Sequence, residues 1–225
     1  MKQIIILFAL MTILHAPASA QDFDKGLAAY RAKDYSSALK EWHPLAKQGN
    51  ASAQYNLGLI YNIGLGVAQN YKESAKWWTM AAEQGDAKAQ ESIGSMHHLG
   101  HGILQNHKRA AEWHLLAAEQ GNADAQASLG ILHAQGKGVP QNYKKAANWT
   151  KRAAEQGHAM AQMNLGWLYM TNKINILDYR KGSTYVHMWA NISVANGNEL
   201  AESMRRNIAK NMTSIEVEKA QAMAT

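Results

Sequence analysis

Apolar and small side chains recur along the segment 51–63 at the spacing of an amphipathic helix. The face predicted to point inward comprises residues three or four positions apart, namely Gln54, Leu57, Gly58 and Tyr61. A Gly-Leu-Gly turn at 64–66 ends this helix, because glycine adopts the left-handed conformation that other residues avoid. We call this predicted element helix A.

A second amphipathic element, helix B, is predicted over 71–84 and is stopped by Gly85. Its buried side chains are expected to be Ala75, Trp77 or Trp78, Ala81 and Ala82. The small residues let helices A and B approach closely, and the tryptophan fills the wedge between neighbouring hairpins. A hairpin of this kind cannot bury its apolar face alone, so it needs neighbours on which to stack.

The hairpin pattern repeats every 36 residues, since the tripeptide Glu-Gln-Gly begins at Glu83, Glu119 and Glu155. A fourth unit lacks the turn glycines, carries the segment 171–178 in their place and is about four residues longer. A period of this length is typical of repeat architectures, in which each unit contacts its neighbours. The predicted fold is therefore all-α, a right-handed α-solenoid of helical hairpins with a concave and a convex side.

The first 20 residues have the order of a secretory signal peptide. Lys2 precedes the apolar run 4–14, and the small residues Ala18-Ser19-Ala20 follow. This apolar run is too short to span a bilayer, and Ala-x-Ala is a cleavage site. The alternative is a buried N-terminal helix. We expect cleavage between Ala20 and Gln21, giving a soluble mature protein that is periplasmic or secreted and does not span a membrane.

The remaining length, about 205 residues, is enough for one domain with a sizeable core. We expect a degenerate capping hairpin over 21–48, repeats over 49–197 and closing helices over 198–225, in a chain that is a monomer. The chain has no cysteine, so packing alone must stabilise it. Its net charge of +6 comes from basic residues interleaved with acidic ones. Without a basic stripe, nucleic acid is not an expected partner.

The motifs of each unit are Ala-x-Ala-Gln-x-x-Leu-Gly-x-x-Tyr, Gly-x-Gly-Val, Ala-x-x-Trp and Ala-Ala-Glu-Gln-Gly. From about Trp42 to Gly197 they resemble the Sel-one-like repeat, a relative of the tetratricopeptide repeat. The resemblance implies protein–protein interaction and scaffold roles, and it implies no catalytic reaction. The lost turn glycines of the fourth unit, and His97 and His133 in place of the Tyr61 position, bear on local geometry.

Two other patterns raise the question of chemistry. The histidine-rich segment 97–114 suggests a metal site, but His97, His107 and His114 occupy the packing or helix-start positions that Tyr61, Tyr71 and Trp78 hold in the first unit. The tetrapeptide Ser37-Ala38-Leu39-Lys40 matches Ser-x-x-Lys of penicillin-recognising enzymes without their other motifs. We therefore predict no enzyme activity, no metal and no cofactor.

The outward stripe of helix A is the predicted binding surface, because in tetratricopeptide-like folds the equivalent stripe lines the concave groove. Positions 2, 5, 9 and 12 of each helix A form it, counting Gly58 as position 8. The candidate partner-binding residues are Tyr55, Leu59, Asn62, Lys88, Glu91, Ser95, His98, Asp124, Ile131, Met163 and Trp167. Ser52, Ala127, Ala134, Met160 and Met170 complete the stripe.

One point about this stripe stays open from the sequence. Met163, Trp167 and Met170 either line the groove or belong to a core covered by the C-terminal helices. We expect Tyr55 and Asn62 to hold a peptide and His98 to confer pH sensitivity near pH 6 to 7.

The predicted function is a non-enzymatic scaffold or adaptor that binds a protein or peptide in this groove. The alternatives are an envelope hydrolase acting on β-lactam or cell-wall peptide and a purely structural spacer.

Overall fold

A computed structural model describes residues 18–170, 179–195, 197 and 199–224. Within these ranges the regular elements are helices, and they form an α-solenoid as the repeat predicts. The helices are α1 (Ala18–Arg31), α2 (Tyr35–Lys47), α3 (Ala51–Ile63), α4 (Tyr71–Glu83), α5 (Ala87–Leu99), α6 (His107–Glu119), α7 (Ala123–Gln135), α8 (Tyr143–Glu155), α9 (Ala159–Met170), α10 (Tyr179–Ala195), α11 (Glu199–Ala209) and α12 (Ser214–Ala222).

From α1 to α11 each helix packs on its neighbours in the chain, and α12 returns to pack on α10. Helices A are α3, α5, α7 and α9, and helices B are α4, α6 and α8, with α10 in the same place in the fourth unit. None of the helices in the described ranges is long and apolar enough to cross a membrane. Residues 1–17 of the expected signal peptide, which covers 1–20, and the segment 171–178 lie outside the described residues.

The helix ends explain why polar residues and glycines recur with the period. Asn50, Asp86 and Asn122 each accept a backbone hydrogen bond at the start of a helix A, and Asn70, Asn106 and Asn142 do so at the start of a helix B. The helices α3, α5 and α7 end at left-handed glycines, with φ of 84° at Gly64, 77° at Gly100 and 69° at Gly136, which confirms the predicted turn in these three units.

The glycine in the middle of each helix A is a point of close packing between the two helices of a hairpin. A side chain of helix B lies directly against it: Trp78 against Gly58, and His114 against Gly94. A Cβ added to Gly94 would lie 2.9 Å from the His114 ring, closer than van der Waals contact allows. The expectation that these glycines permit close approach is therefore confirmed.

Buried glutamines connect successive units, a feature that the hydrophobic pattern did not indicate. The Gln54 amide donates to the carbonyl of Ala46 in the preceding unit at 2.9 Å. Its own oxygen accepts from Gln84, at the end of the next helix B, at 2.7 Å. The same pair of bonds recurs with Gln90 and Gln120, and again with Gln126 and Gln156. The recurring Glu-Gln-Gly tripeptide thus supplies one partner of a polar ladder.

Helix B buries two faces rather than one. The sequence predicted Trp77 or Trp78 as the buried residue, and the structure buries both. Trp77 packs in the core that Trp42 and Leu57 share, whereas Trp78 packs with Ile93 of the next unit. Tyr61, expected inside, is only half-buried because its hydroxyl reaches His43 at 3.2 Å at the edge of the core.

Candidate binding surface

The predicted stripe forms one surface across the outward sides of α3, α5, α7 and α9, which we call the helix A face. Most of its residues are exposed or half-buried, as binding requires. Exposed members are Ser52, Lys88, Asp124, Met160 and Trp167, and half-buried members are Tyr55, Leu59, Asn62, Glu91, Ser95, His98, Ile131, Ala134 and Met163. Ala127 departs from the prediction, since it is buried in the core formed with Ala153 and Leu165.

Trp167 resolves one alternative that the sequence left open. Its side chain is 45% exposed and that of Met160 is 46% exposed, so the C-terminal helices do not cover them. Met163 is half-buried, and the side chain of Met170 lies outside the described part of the structure. The fourth unit therefore presents an accessible tryptophan on the helix A face.

An apolar depression lies between α7 and α9. Its volume is about 540 Å³, and its walls include Ile131, Ala134, Met160, Asn164 and Trp167. Methionine adapts its shape to different ligands, and tryptophan contributes large binding energies when a partner covers it. This depression can accommodate one bulky apolar side chain.

A smaller and more polar depression, of about 160 Å³, lies between α5 and α7. Ser95, His98, His114, Ser128 and Ile131 are among its lining residues. Ile131 borders both depressions, so the two are adjacent on the helix A face. Together they form a discontinuous groove across three units.

The acidic part of the helix A face centres on Glu91 of α5. The Ser95 hydroxyl donates to its carboxylate at 2.8 Å. Burial raises the pKa of the Glu91 carboxyl, and nearby Asp124 raises it further. Burial also raises the pKa of Tyr55, with Glu91 as the next contribution. Tyr55, Glu91 and Asp124 therefore share one electrostatic environment, although they come from three units.

Tyr55 is held from behind by helix B of its own unit. Its ring stacks on Trp78 with centroids 6.4 Å apart, and the Trp78 indole N–H donates to the Tyr55 carbonyl at 3.1 Å. Asn62 lies two turns later in the same helix, and its backbone carbonyl accepts a hydrogen bond from the Gln69 side-chain amide at 2.7 Å. Both residues are thus fixed at the backbone and half-buried on the helix A face.

The surroundings of His98 favour its neutral form. Burial lowers its pKa, and the nearby His107 and Lys137 lower it further. The rings of His98 and His107 lie 4.9 Å apart, a contact between α5 and α6 that sequence reasoning missed. Any pH response of His98 is therefore shifted to lower pH than that of a solvent-exposed histidine.

Two further histidines of the segment 97–114, His97 and His114, fill packing positions. His114 is 2% exposed, and burial lowers its pKa to about 4, so the ring is neutral at physiological pH. His97 is also buried, and burial lowers its pKa. In the described ranges, no three His, Cys, Asp or Glu side chains come together in a way that would hold a metal ion.

The Ser-x-x-Lys tetrapeptide has a structural explanation. Ser37 lies in the first turn of α2, where its backbone N–H donates to the N-cap Asp34 at 3.1 Å. The Ser37 side chain also hydrogen-bonds Asp34, and this bond lowers the pKa of that carboxyl. Lys40 is exposed on the same helix. These contacts assign Ser37 to helix capping.

Comparison with known proteins gives a consistent answer. The model of the Sel1 repeat family matches residues 51–86, 87–122, 123–158 and 159–171. No curated protein matches the sequence.

Among solved structures, the chain is similar to a protective antigen present in uropathogenic Escherichia coli strains, which displays an SLR fold. The identity is 32% and the TM-score 0.81, over 91% of this chain and 44% of the antigen, so the chain spans less than half of the antigen's length. A Sel1 repeat protein from Oxalobacter formigenes is 28% identical with a TM-score of 0.69, over 91% of this chain and 96% of that protein. An immunity protein from Pseudomonas aeruginosa shares the fold at 18% identity and a TM-score of 0.51, over 91% of this chain and 85% of that protein.

Proposed function

Because the chain belongs to the Sel1 repeat family, whose members are generally protein-interaction scaffolds, we propose that it binds a segment of a partner protein along the helix A face. The observation that carries this proposal is the pair of adjacent depressions on that face, one of which exposes Trp167. A large aromatic side chain that is accessible beside an apolar depression is a typical anchor point for a partner. The proposed role is non-enzymatic. In this proposal the helix A face is the equivalent of the concave groove of tetratricopeptide-like folds.

Single alanine variants test the surface directly. The partner is first captured from envelope extract with the chain from Gln21 onward as bait, and its affinity is then measured for Tyr55→Ala, Glu91→Ala, His98→Ala and Trp167→Ala. Leu104→Ala serves as a control, because Leu104 is 87% exposed and lies outside the helix A face. We expect Trp167→Ala to weaken binding by at least tenfold, about 1.4 kcal/mol. Four folded variants with wild-type affinity would place the binding surface elsewhere.

We also propose that the protein acts in the periplasm or after secretion, on the strength of the predicted signal sequence. Cleavage between Ala20 and Gln21 would retain Phe23, whose ring stacks on Trp42 of α2 with centroids 5.9 Å apart. The hairpin of α1 and α2 therefore keeps this contact in the processed chain. N-terminal sequencing of the native protein decides the matter. Recovery of an intact Met1 from the cytoplasmic fraction would contradict the proposal.

A further inference from the structure

The carboxylate of Glu91 has no cationic partner within the described residues. It is half-buried and hydrogen-bonded to Ser95, and none of the ion pairs in those residues includes it. Lys88 lies one turn earlier in α5 without reaching ion-pair distance. A partly desolvated negative charge is favoured by an approaching cation, because the two interact more strongly than fully solvated charges do. This part of the helix A face therefore selects for a positive group.

The neighbouring acidic residue strengthens that preference. Asp124 of α7 is exposed, and it contributes to raising the pKa of Glu91. The Asp124 carboxylate also lies 3.1 Å from Nε2 of His158. Two carboxylates that face the same space repel an acidic ligand and attract a basic one. The charge of the helix A face in its middle units is thus complementary to Lys or Arg.

The apolar depression lies on the same face, further along the solenoid. The position of Trp167 is held by Leu59, Ser95 and Ile131 in the three preceding units. A large aromatic side chain at this position is thus confined to the fourth unit. The face is therefore polarised, with its acidic region at α5 and α7 and its apolar region at α7 and α9.

We propose, building on the function proposed above, that the occupant of the helix A face is an extended peptide segment with a Lys or Arg against Glu91 and a bulky apolar side chain beside Trp167. The small depression lined by Ser95, His98 and Ser128 lies between these two sites and accommodates a small or polar residue. The acidic region and the apolar region together define a two-point motif.

The separation of the two sites sets the spacing of the motif. Packed helices lie about 8–10 Å apart. Successive helices A pack mainly through the helix B between them, so they lie between one and two of these distances apart. The centre of the depression between α7 and α9 is then roughly 15–25 Å from α5. An extended chain advances about 3.3–3.6 Å per residue, so the basic and the apolar residues of the partner are expected about four to seven positions apart in sequence.

A random-peptide display selection tests this inference. The chain from Gln21 onward is immobilised, 12-residue peptides are selected, and the selected sequences are compared with those from Glu91→Gln and Trp167→Ala. Glu91→Gln keeps the shape of the side chain and the acceptor for Ser95, and circular dichroism checks that each variant folds. Glu119→Gln, at an exposed carboxylate of α6, is the matched control for charge, and Leu104→Ala is the control for exposed apolar area.

The expected result is enrichment of a Lys or Arg about four to seven positions from a bulky apolar residue. Glu91→Gln should remove the preference for the basic residue and keep that for the apolar one, and Trp167→Ala should do the reverse. A synthetic peptide from the wild-type selection should bind Glu91→Gln at least fivefold more weakly, and both controls should bind it normally. Asp124→Asn, a second variant at an exposed site, should weaken binding in the same direction by a smaller factor.

Two other outcomes separate this inference from the function on which it rests. If the selected peptides depend on Trp167 but lack a basic residue, or bind Glu91→Gln as tightly as wild type, the basic motif is wrong and the groove function stands. If no peptide is enriched, or if binding is insensitive to every variant on the helix A face, the groove function fails together with the motif.

Discussion

At the scale of the residue, equivalent positions of the repeats contain different amino acids, and the difference changes the hydrogen bonding and ionisation of the buried side chain. The position that is Trp78 in the first unit is His114 in the second and Thr150 in the third, each packed against the mid-helix glycine of its hairpin. The Trp78 indole donates to a backbone carbonyl, whereas Nδ1 of His114 is buried without a hydrogen-bond partner. The second unit therefore buries an ionisable side chain, His114, at the position where the first unit buries a neutral, hydrogen-bonded one, Trp78.

Burial of His114 predicts a loss of stability in acid. Its pKa is lowered from 6.5 to about 4 in the fold, so the unfolded chain binds the proton first as the pH falls. The contribution of the neutral His114 ring to the free energy of unfolding is fully present above pH 6.5. It decreases by about 3 kcal/mol by pH 4, because each unit of pKa difference between the folded and unfolded chain corresponds to about 1.36 kcal/mol. His114→Trp, which copies Trp78, should reduce the stability lost between pH 7 and pH 4.5.

Urea unfolding at both pH values measures this effect. His101→Gln, at an exposed histidine of the same unit, should lose as much stability in acid as the wild type. An unchanged pH dependence in His114→Trp would show that other buried histidines, such as His97 and His133, cause the acid sensitivity.

The mid-helix glycines predict a ranking of alanine substitutions. A Cβ at Gly58 would overlap the rigid Trp78 ring, whereas a Cβ at Gly166 would meet the flexible end of Met204 at 2.7 Å. Alanine gains about 1 kcal/mol over glycine from helix propensity, and overpacking costs about 1–3 kcal/mol. Gly58→Ala should therefore destabilise the protein, and Gly166→Ala should be close to neutral. Thermal melting of the two variants compares them, and equal melting temperatures would contradict the packing argument.

At the scale of the element, each helix is joined to the next unit by both apolar and polar contacts. Helix α4 places Trp77 in the core before it and Trp78 in the core after it. The buried glutamine of each helix A spans the same junction, since it donates backward to helix B of the preceding unit and accepts from helix B of its own. Two-sided burial and the glutamine ladder together fix the register between hairpins.

Removal of one buried glutamine of the ladder should lower the stability of the fold more than removal of an exposed glutamine does. Gln90→Ala leaves the buried carbonyl of Ala82 without the amide that donates to it at 3.2 Å, and Gln120 loses one acceptor. The Ala82 carbonyl keeps the Gly85 N–H at 3.0 Å and the Gln120 amide keeps the Gly85 carbonyl at 3.1 Å, so the variant loses two hydrogen bonds, at about 0.5–1.5 kcal/mol each. Gln141→Ala, which removes an exposed side chain that bonds the Ala134 carbonyl at 2.8 Å, should cost clearly less. Denaturant unfolding of the two variants measures the difference, and equal losses would mean that the ladder adds no stability.

The helices and their turns were predictable from the sequence because their determinants are local. Amphipathic spacing and the turn glycines fix α3 over Ala51–Ile63, the predicted range, and α4 ends one residue before the predicted position. Helical periodicity placed Gln54 on the inward face, but the glutamine pairs were not predicted, because periodicity does not show which polar groups of neighbouring helices a buried amide meets. The available signal was the constant separation of 30 residues between Gln54 and Gln84 and between their counterparts.

The candidate site was predictable as a face but not in its details. Helical periodicity placed Tyr55 and Trp167 on the outward side, and the structure finds both accessible there. Periodicity could not show that Ala127 is buried in the core with Ala153 and Leu165, or that His98 lies beside His107, because both depend on how neighbouring helices pack. Contacts between helices therefore set the limit of the prediction.

At the scale of the whole molecule, contacts run almost entirely between chain neighbours, so damage should stay local. We expect Gly58→Ala to increase amide hydrogen exchange in α2, α3, α4 and α5, which adjoin the disturbed hairpin. Exchange in α9, α10 and α11 should remain as in the wild type under native conditions. Hydrogen exchange read by mass spectrometry resolves the helices separately, and a uniform increase would indicate one cooperative unit.

The glutamine ladder also bears on how long such a chain can be. Each unit offers the same carbonyl to the unit after it and the same amide to the unit before it. An extra copy of 36 residues, inserted by duplication of 87–122, would present a glutamine amide to the unit before it and an alanine carbonyl to the unit after it. Both junctions would therefore form the same hydrogen bonds as the existing ones. The architecture is therefore extensible, and gene duplication can lengthen the groove by one segment without a new solution to the problem of packing.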